Sequence, residues 1–349
     1  MAQSSAFDSA PGGRMRPSLE WGPYIAVLAT MAAIPFLFGT TSIRTFNLVL
    51  LMGLTAQGLN IIMGMGGMVS VASAALLGIG GFLAGHLSET MGVGIVTSTL
   101  LSAALGMGVG VLLALPGLRL KHLYFATATM AMHFIIVFVL QIVQNDMRKG
   151  SPFSLAPASI AGIGLDTPLD WYVLFCVLSA VLLIATQMIR TSSLGRALIA
   201  IRDDQDAAEI AGVNTVRAKF IAFTISSGVI AAVGAILAFY QMTASWEGIT
   251  LELAIQFVAI VIVGGMGFSY GPILGAFLVV GIPDFIVRAL DGVIGPQLGS
   301  QIFLIKNTLF GLLVIYFMTI GPDGVPGALR KGYKAMARFW RRMSASRSS

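Results

Sequence analysis

Apolar runs of about 17 residues or more recur along this chain from Tyr24 to Ile320. Each is long enough to cross a bilayer as a helix, since a helix rises about 1.5 Å per residue and the hydrocarbon layer is about 30 Å thick. Few folds are open to such a chain. In lipid every backbone amide and carbonyl needs an internal partner, so only helices and closed barrels span. Barrel strands would show segments of about 10 residues with alternating polarity, and none occur here. Charge agrees: only 10% of the 349 residues are charged, against about 25% in a soluble domain. The expected fold is an all-α, polytopic transmembrane helical bundle of about 8–10 spans with two Gly-rich interrupted elements.

The runs place spans at 24–39, 46–64, 68–87, 93–115, 123–143, 171–189, 219–242, 253–270, 271–287 and 302–320, the third and ninth being candidates for short or re-entrant segments. The chain then divides into an N-terminal tail (1–23), spans one to six (24–189), an inner loop (190–218), spans seven to ten (219–320) and a basic tail (321–349). No small-x-small cleavage site follows the first apolar run, so that run is read as a retained span rather than a signal peptide. With both termini cytoplasmic, inner segments hold 16 of the 21 Lys and Arg residues. The outer ones hold Arg44, Arg148, Lys149, Arg288 and Lys306. That is the positive-inside bias. The net charge of +6 therefore reports orientation and contact with anionic lipid, not nucleic-acid binding.

Two stretches echo each other: "IIMGMGGMVSVASAALLGIGGFLAG" (61–85) and "VIVGGMGFSYGPILGAFLVVG" (261–281). In each a span ends in a Gly-rich break and a span rich in small residues follows. Interrupted helices at corresponding places in two halves point to a transport pathway. Gly66, Gly67, Gly264, Gly265 and Gly267 form the breaks. Around the first lie Gln57, Asn60, Ser70 and Ser73, which either line a route for a polar solute or bond between helices. His133, in mid-span, is either a helix-contact histidine or a pathway residue. Pairs such as Gly106/Gly110 are spaced for close helix packing.

The sequence carries no His-Glu-x-x-His, Gly-x-Ser-x-Gly or phosphate-loop signature. The lone cysteine, Cys176, allows neither an intrachain disulfide nor a Cys-based metal cluster. No enzymatic chemistry and no cofactor are expected. Buried Asp, Glu and His are too scarce for a proton relay, so energy is not harvested by this polypeptide.

The inner loop holds "DDQDAAEIAGVN", with four acidic side chains in seven positions. Asp203 and Asp204 suit a helix start and Gly212 its left-handed end. At about 100° per residue, Ala207, Ala208, Ile210 and Ala211 gather on one side and Gln205, Asp206 and Glu209 on the other. A small apolar face on an acidic helix suits a protein groove better than anionic lipid.

"SLGRALIAIRDDQDAAEIAGVNTVRAKFIAF" resembles the cytoplasmic loop of permease subunits in the branched-chain amino acid class of ABC importers. Asp206-Ala207-Ala208-x-x-x-Gly212 matches that family's Glu-Ala-Ala-x-x-x-Gly core, with Asp for Glu and Glu209 inside it. "GLNIIMGMGGMVSVASAALLGIGGFLAG", "LRLKHLYFATATMAM", "VGGMGFSYGPILGAFLV" and "GPDGVPG" are similar to further family elements, in the same order. The chain departs from the family at Met68, Ala72-Ser73 and His133. The resemblance implies a multi-pass protein of the bacterial cytoplasmic (inner) membrane. Its partners would be a second permease subunit, usually different, two cytoplasmic ATPase subunits and an external solute-binding protein. The loop helix would lie in an ATPase cleft. The solute would be a branched-chain amino acid or a related amino acid, amide or organic acid. The competing readings are an ion-coupled secondary carrier working alone and a purely structural subunit.

Overall fold

The computed structural model describes residues 40–117, 122–160 and 162–287, the helical residues 307–312 and 314–316, and Val27 and Met31. Both tails and most of the spans expected at 24–39 and 302–320 lie outside the described residues. Five described helices are long and apolar enough to cross a membrane. In chain order these are α1 (Thr40–Asn60), extended by a π-helical segment (Ile61–Met65), α3 (Ile95–Gly117), α4 (His122–Arg148), α5 (Pro168–Thr191) and α8 (Thr215–Gln241). Between them lie α2 (Ser73–Met91) and the loop helices α6 (Ser193–Asp203) and α7 (Gln205–Ile210). After α8 come α9 (Leu251–Gly264) and α10 (Gly271–Ala276), the latter continuing through a π-helical segment (Phe277–Gly281) to Val287. The polytopic helical bundle expected from the apolar runs is what forms.

α1, α2 and α8 make the centre, and α3, α4 and α5 carry most of the exposed apolar faces. On α5 the division follows helical periodicity. Val173, Val177, Val181, Ile184 and Met188 are exposed, while Trp171, Phe175, Ser179, Leu183 and Thr186 are buried. The helix starts where Thr167 and Asp170 exchange hydrogen bonds as a capping box and Pro168 takes the first turn. α3 and α8 approach closely through the Gly106/Gly110 pair. A Cβ on Gly106 would sit 2.3 Å from that of Ala231, and one on Gly110 2.6 Å from that of Ser227.

The Gly-rich breaks differ in detail from their expected limits. α2 begins at Ser73 rather than 68, because Gly67 turns left-handed (φ 67°) and the Val71 N–H donates to the Thr129 hydroxyl instead of a helix carbonyl. α9 has 14 residues, fewer than the roughly 20 a crossing needs. It stops at Gly264, and the chain turns through Gly265 and Gly267 at φ 93° and 86°. At the opposite end of α8, β1 (Phe153–Ser154) pairs antiparallel with β4 (Thr243–Ala244), and β2 (Ser159–Ile160) with β3 (Ile163–Gly164). The β1 loop is fixed to α2 by the Ser154 N–H on Glu89 Oε2 and the Ala156 N–H on Ser88 Oγ, both at 3.2 Å, and the Arg148–Glu89 ion pair ties the end of α4 to the same helix. His86 packs edge-on to Phe153.

Candidate functional site

The two breaks, separated by about 200 residues of chain, meet. Asn60, fully buried at the end of α1, donates from Nδ2 to the Phe268 carbonyl at 3.0 Å and accepts the Gly267 N–H on Oδ1 at 3.2 Å. One turn earlier Gln57 donates to the Ser269 carbonyl at 3.1 Å and to Thr186 Oγ1 at 3.2 Å. Ser269 in turn donates to Gln187 Oε1 at 3.1 Å. These side chains supply partners for backbone that no longer belongs to a helix, as a nonpolar surrounding demands.

A side chain from the loop completes the junction. Arg202, near the end of α6, donates from Nη1 to the Gly64 carbonyl at 2.7 Å and reaches the Met266 carbonyl at 3.4 Å. These carbonyls stand at the C-terminal ends of the π-helical segment and of α9, where free carbonyls leave partial negative charge. The glycines make room for the arginine. A Cβ on Gly67 would fall 2.9 Å from Arg202 Cγ, and one on Gly267 3.0 Å from Nη1. Behind it Leu198, Ile201 and Ala208 pack with Ile61, Met65, Ala218 and Ala222.

α7 forms as its acidic cluster predicts, in a shifted frame. Asp203 ends α6 and Asp204 caps α7, its Oδ1 accepting the N–H groups of Asp206 and Ala207 at 3.0 Å each. Gly212 takes φ 84°, its N–H bonding the Glu209 carbonyl while Val213 N–H bonds that of Ala208, which closes the end as a Schellman motif. The rotation of this helix differs from the expected one. Ala208 is buried inside the chain, while Ala207 is exposed and Ile210 is 89% exposed. The half-buried Gln205 and the exposed Glu209 reach back to α8, accepting from Lys219 Nζ at 2.7 Å and from the Thr215 hydroxyl at 2.8 Å. Lys219 is almost wholly buried, and a buried ammonium requires such acceptors.

The residues expected around the breaks do not all join one site. Asn60, Gly264, Gly265 and Gly267 converge, with Gly66 and Gly67 beside α6. Gly264 also faces α10, where a Cβ would come 2.1 Å from the Gly271 carbonyl oxygen. Ser70, Ser73 and His133 are buried but stand apart from the hydrogen bonds of the junction. His133 falls on the inward stripe of α4 that includes Thr129, Ile136 and Leu140, with Nδ1 unpartnered. Gln57, expected beside Asn60 at the first break, bonds between segments, while Arg202, one of the inner positive charges, is the member that the sequence did not mark as a site residue.

On the far side of the bundle from the loop lies a cavity of about 200 Å³. Leu77, Phe82, Leu237 and Ile249 give it apolar walls, and Gln241, Thr243 and Ser245 add polar groups. Next to it Glu247 accepts from Gln144 Nε2 at 3.4 Å. The Ser245 hydroxyl, hydrogen-bonded to that carboxyl, holds it below the usual carboxylate range. Met52 lines the cavity eight residues before Asn60, roughly 12 Å along α1.

Comparison with known proteins bears on this arrangement directly. The permease protein LivM of the high-affinity branched-chain amino acid transport system of Escherichia coli (strain K12) is 28% identical over 285 residues, covering 73% of this chain and 66% of its own length. Its Salmonella typhimurium (strain LT2) counterpart is 27% identical over 282 residues with the same coverage. No solved structure matches significantly. The family described as branched-chain amino acid transport system / permease component matches residues 25–320. With most of its length inside that match, the chain belongs to the branched-chain amino acid transport permease family.

Proposed function

We propose that the chain is the transmembrane permease subunit of an ATP-binding-cassette importer in the bacterial cytoplasmic membrane. It moves a branched-chain amino acid, or a related small amino acid, amide or organic acid, inward. Separate ATPase subunits hydrolyse the ATP, and a second permease chain and an external solute-binding protein complete the assembly. The observation that carries this reading is α7. It is capped at both ends, held to α8 by Gln205 and Glu209, and presents Ala207 and Ile210 away from its own chain. A carrier working alone has no use for a small apolar face held rigidly on a polar loop. The mixed walls of the cavity, aliphatic with a few hydroxyl and amide groups, support a solute with an aliphatic side chain and a polar end.

Ala207→Glu tests the assignment. The carboxylate would be buried without a partner in the proposed ATPase cleft. ATP-dependent uptake by the whole transporter should fall at least about tenfold, and the ATPase subunits should no longer co-purify. The chain itself should remain folded in the membrane, because position 207 is exposed. Undiminished uptake would contradict the assignment.

A further inference from the structure

Arg202 is where the inner loop enters the bundle, and three features make it more than a local cap. Its guanidinium bridges carbonyls from both breaks, Gly64 at 2.7 Å and Met266 at 3.4 Å, so one cation ties together the two ends that a moving pathway would have to separate. Its stem fills the space left by the missing side chain of Gly67, so the arginine and the first break cannot move independently. Only Asp204 separates α6, which carries Arg202, from α7. Ala208 of α7 packs in the same small core as Leu198 and Ile201 of α6. A push or pull on α7 is therefore delivered to Arg202 without slack.

We propose that Arg202 is the positioning residue that transmits movement of the inner loop to the paired breaks. While its guanidinium sits on the Gly64 and Met266 carbonyls, the breaks are held together with Asn60. When the α6–α7 segment shifts, the cation leaves the two helix ends and the junction opens. This inference rests on α7 being the docking helix for the ATPase. An arginine suits the task because Nη1 carries two N–H donors on a rigid planar group, one for each of the two carbonyls. A lysine keeps the charge but carries its donors on a flexible stem with no fixed plane, so it would hold the two carbonyls less firmly.

The test uses the whole transporter with all its subunits in proteoliposomes. The lone Cys176 is replaced by Ser, and one reporter cysteine is placed at a partly exposed break position, Val69→Cys in one preparation and Met266→Cys in another. Thiol labelling rates are compared without nucleotide and after trapping with ATP and vanadate. With Arg202 present, the rates at one or both reporters should differ at least about fivefold between the two states. In Arg202→Met the difference should vanish while the ATPase subunits stay bound and ATP hydrolysis continues. Arg202→Lys should restore part of it. A merely structural cap would leave the nucleotide response intact, and that result in Arg202→Met overturns the proposal. It is equally overturned if neither reporter responds with Arg202 in place, or if Met, Gln and Lys variants at 202 all fail to assemble, which would make the arginine a folding residue. Absence of any ATPase on the unmutated transporter would instead overturn the importer assignment itself.

Discussion

Asn60 fills both bonding directions of its amide at the junction, donating to Phe268 and accepting from Gly267. Asn60→Ala would leave the half-buried Gly267 N–H and Phe268 carbonyl without these partners, a loss of about 1 kcal/mol for each. Thermal unfolding in detergent should register it as a clear drop in midpoint, where Ser154→Ala on an exposed strand should register almost none. Two glycines with left-handed backbone separate strain from crowding. Gly92 has φ 62° and open space around its missing Cβ, so Gly92→Ala should cost about 1–2 kcal/mol from backbone strain alone. Gly267 has φ 86° and a Cβ there would come 3.0 Å from both Arg202 Nη1 and the Gly64 carbonyl oxygen. Gly267→Ala should therefore destabilise more than Gly92→Ala and also impair uptake. Equal effects in the two variants would show that the Arg202 seat does not matter.

Among elements, α7 shows how far sequence reasoning reaches. The acidic cluster, the left-handed Gly212 and the loop location were all legible, because capping chemistry is local and needs a few residues only. The rotation of the helix was not. Its polar positions Gln205 and Glu209 serve the buried Lys219 and Thr215, and that demand comes from α8 rather than from the helix's own pattern. Six residues are too few for periodicity to outweigh such partners. The consequence is measurable. Ala208→Glu places a charge in the α6–α7–α8 core and should destabilise the chain itself, by about 3 kcal/mol or more. Ala207→Glu should spare stability and break the proposed partnership with an ATPase subunit. Expression and unfolding assays on the two variants distinguish these outcomes. The Gly106/Gly110 seam was legible for the same reason as the caps: small residues one turn apart have few uses other than close packing. The convergence of Asn60, Arg202 and Gly267 was not, since it joins segments about 140 and 200 residues from one another in sequence.

At the scale of the whole molecule, the cavity and the junction stand at opposite ends of the central helices. The cavity is walled by α2, α8 and the start of α9 at the end bearing the β1–β4 ladder. The junction closes the end bearing the inner loop, with Gln57, Asn60 and Arg202 as its bonds. With the loop inside, as the positive-inside bias directs, this arrangement accounts for a permease accessible from outside and sealed from within. Under the proposed function, energy enters through the loop from a nucleotide bound by a separate subunit. Uptake of radiolabelled leucine into proteoliposomes containing the complete transporter, loaded with ATP or with a non-hydrolysable analogue, tests that claim most directly. Uptake should require hydrolysable ATP, survive ionophores that collapse proton and sodium gradients, and be lost in Ala207→Glu. Uptake that proceeds without ATP and disappears with the ionophores would contradict it.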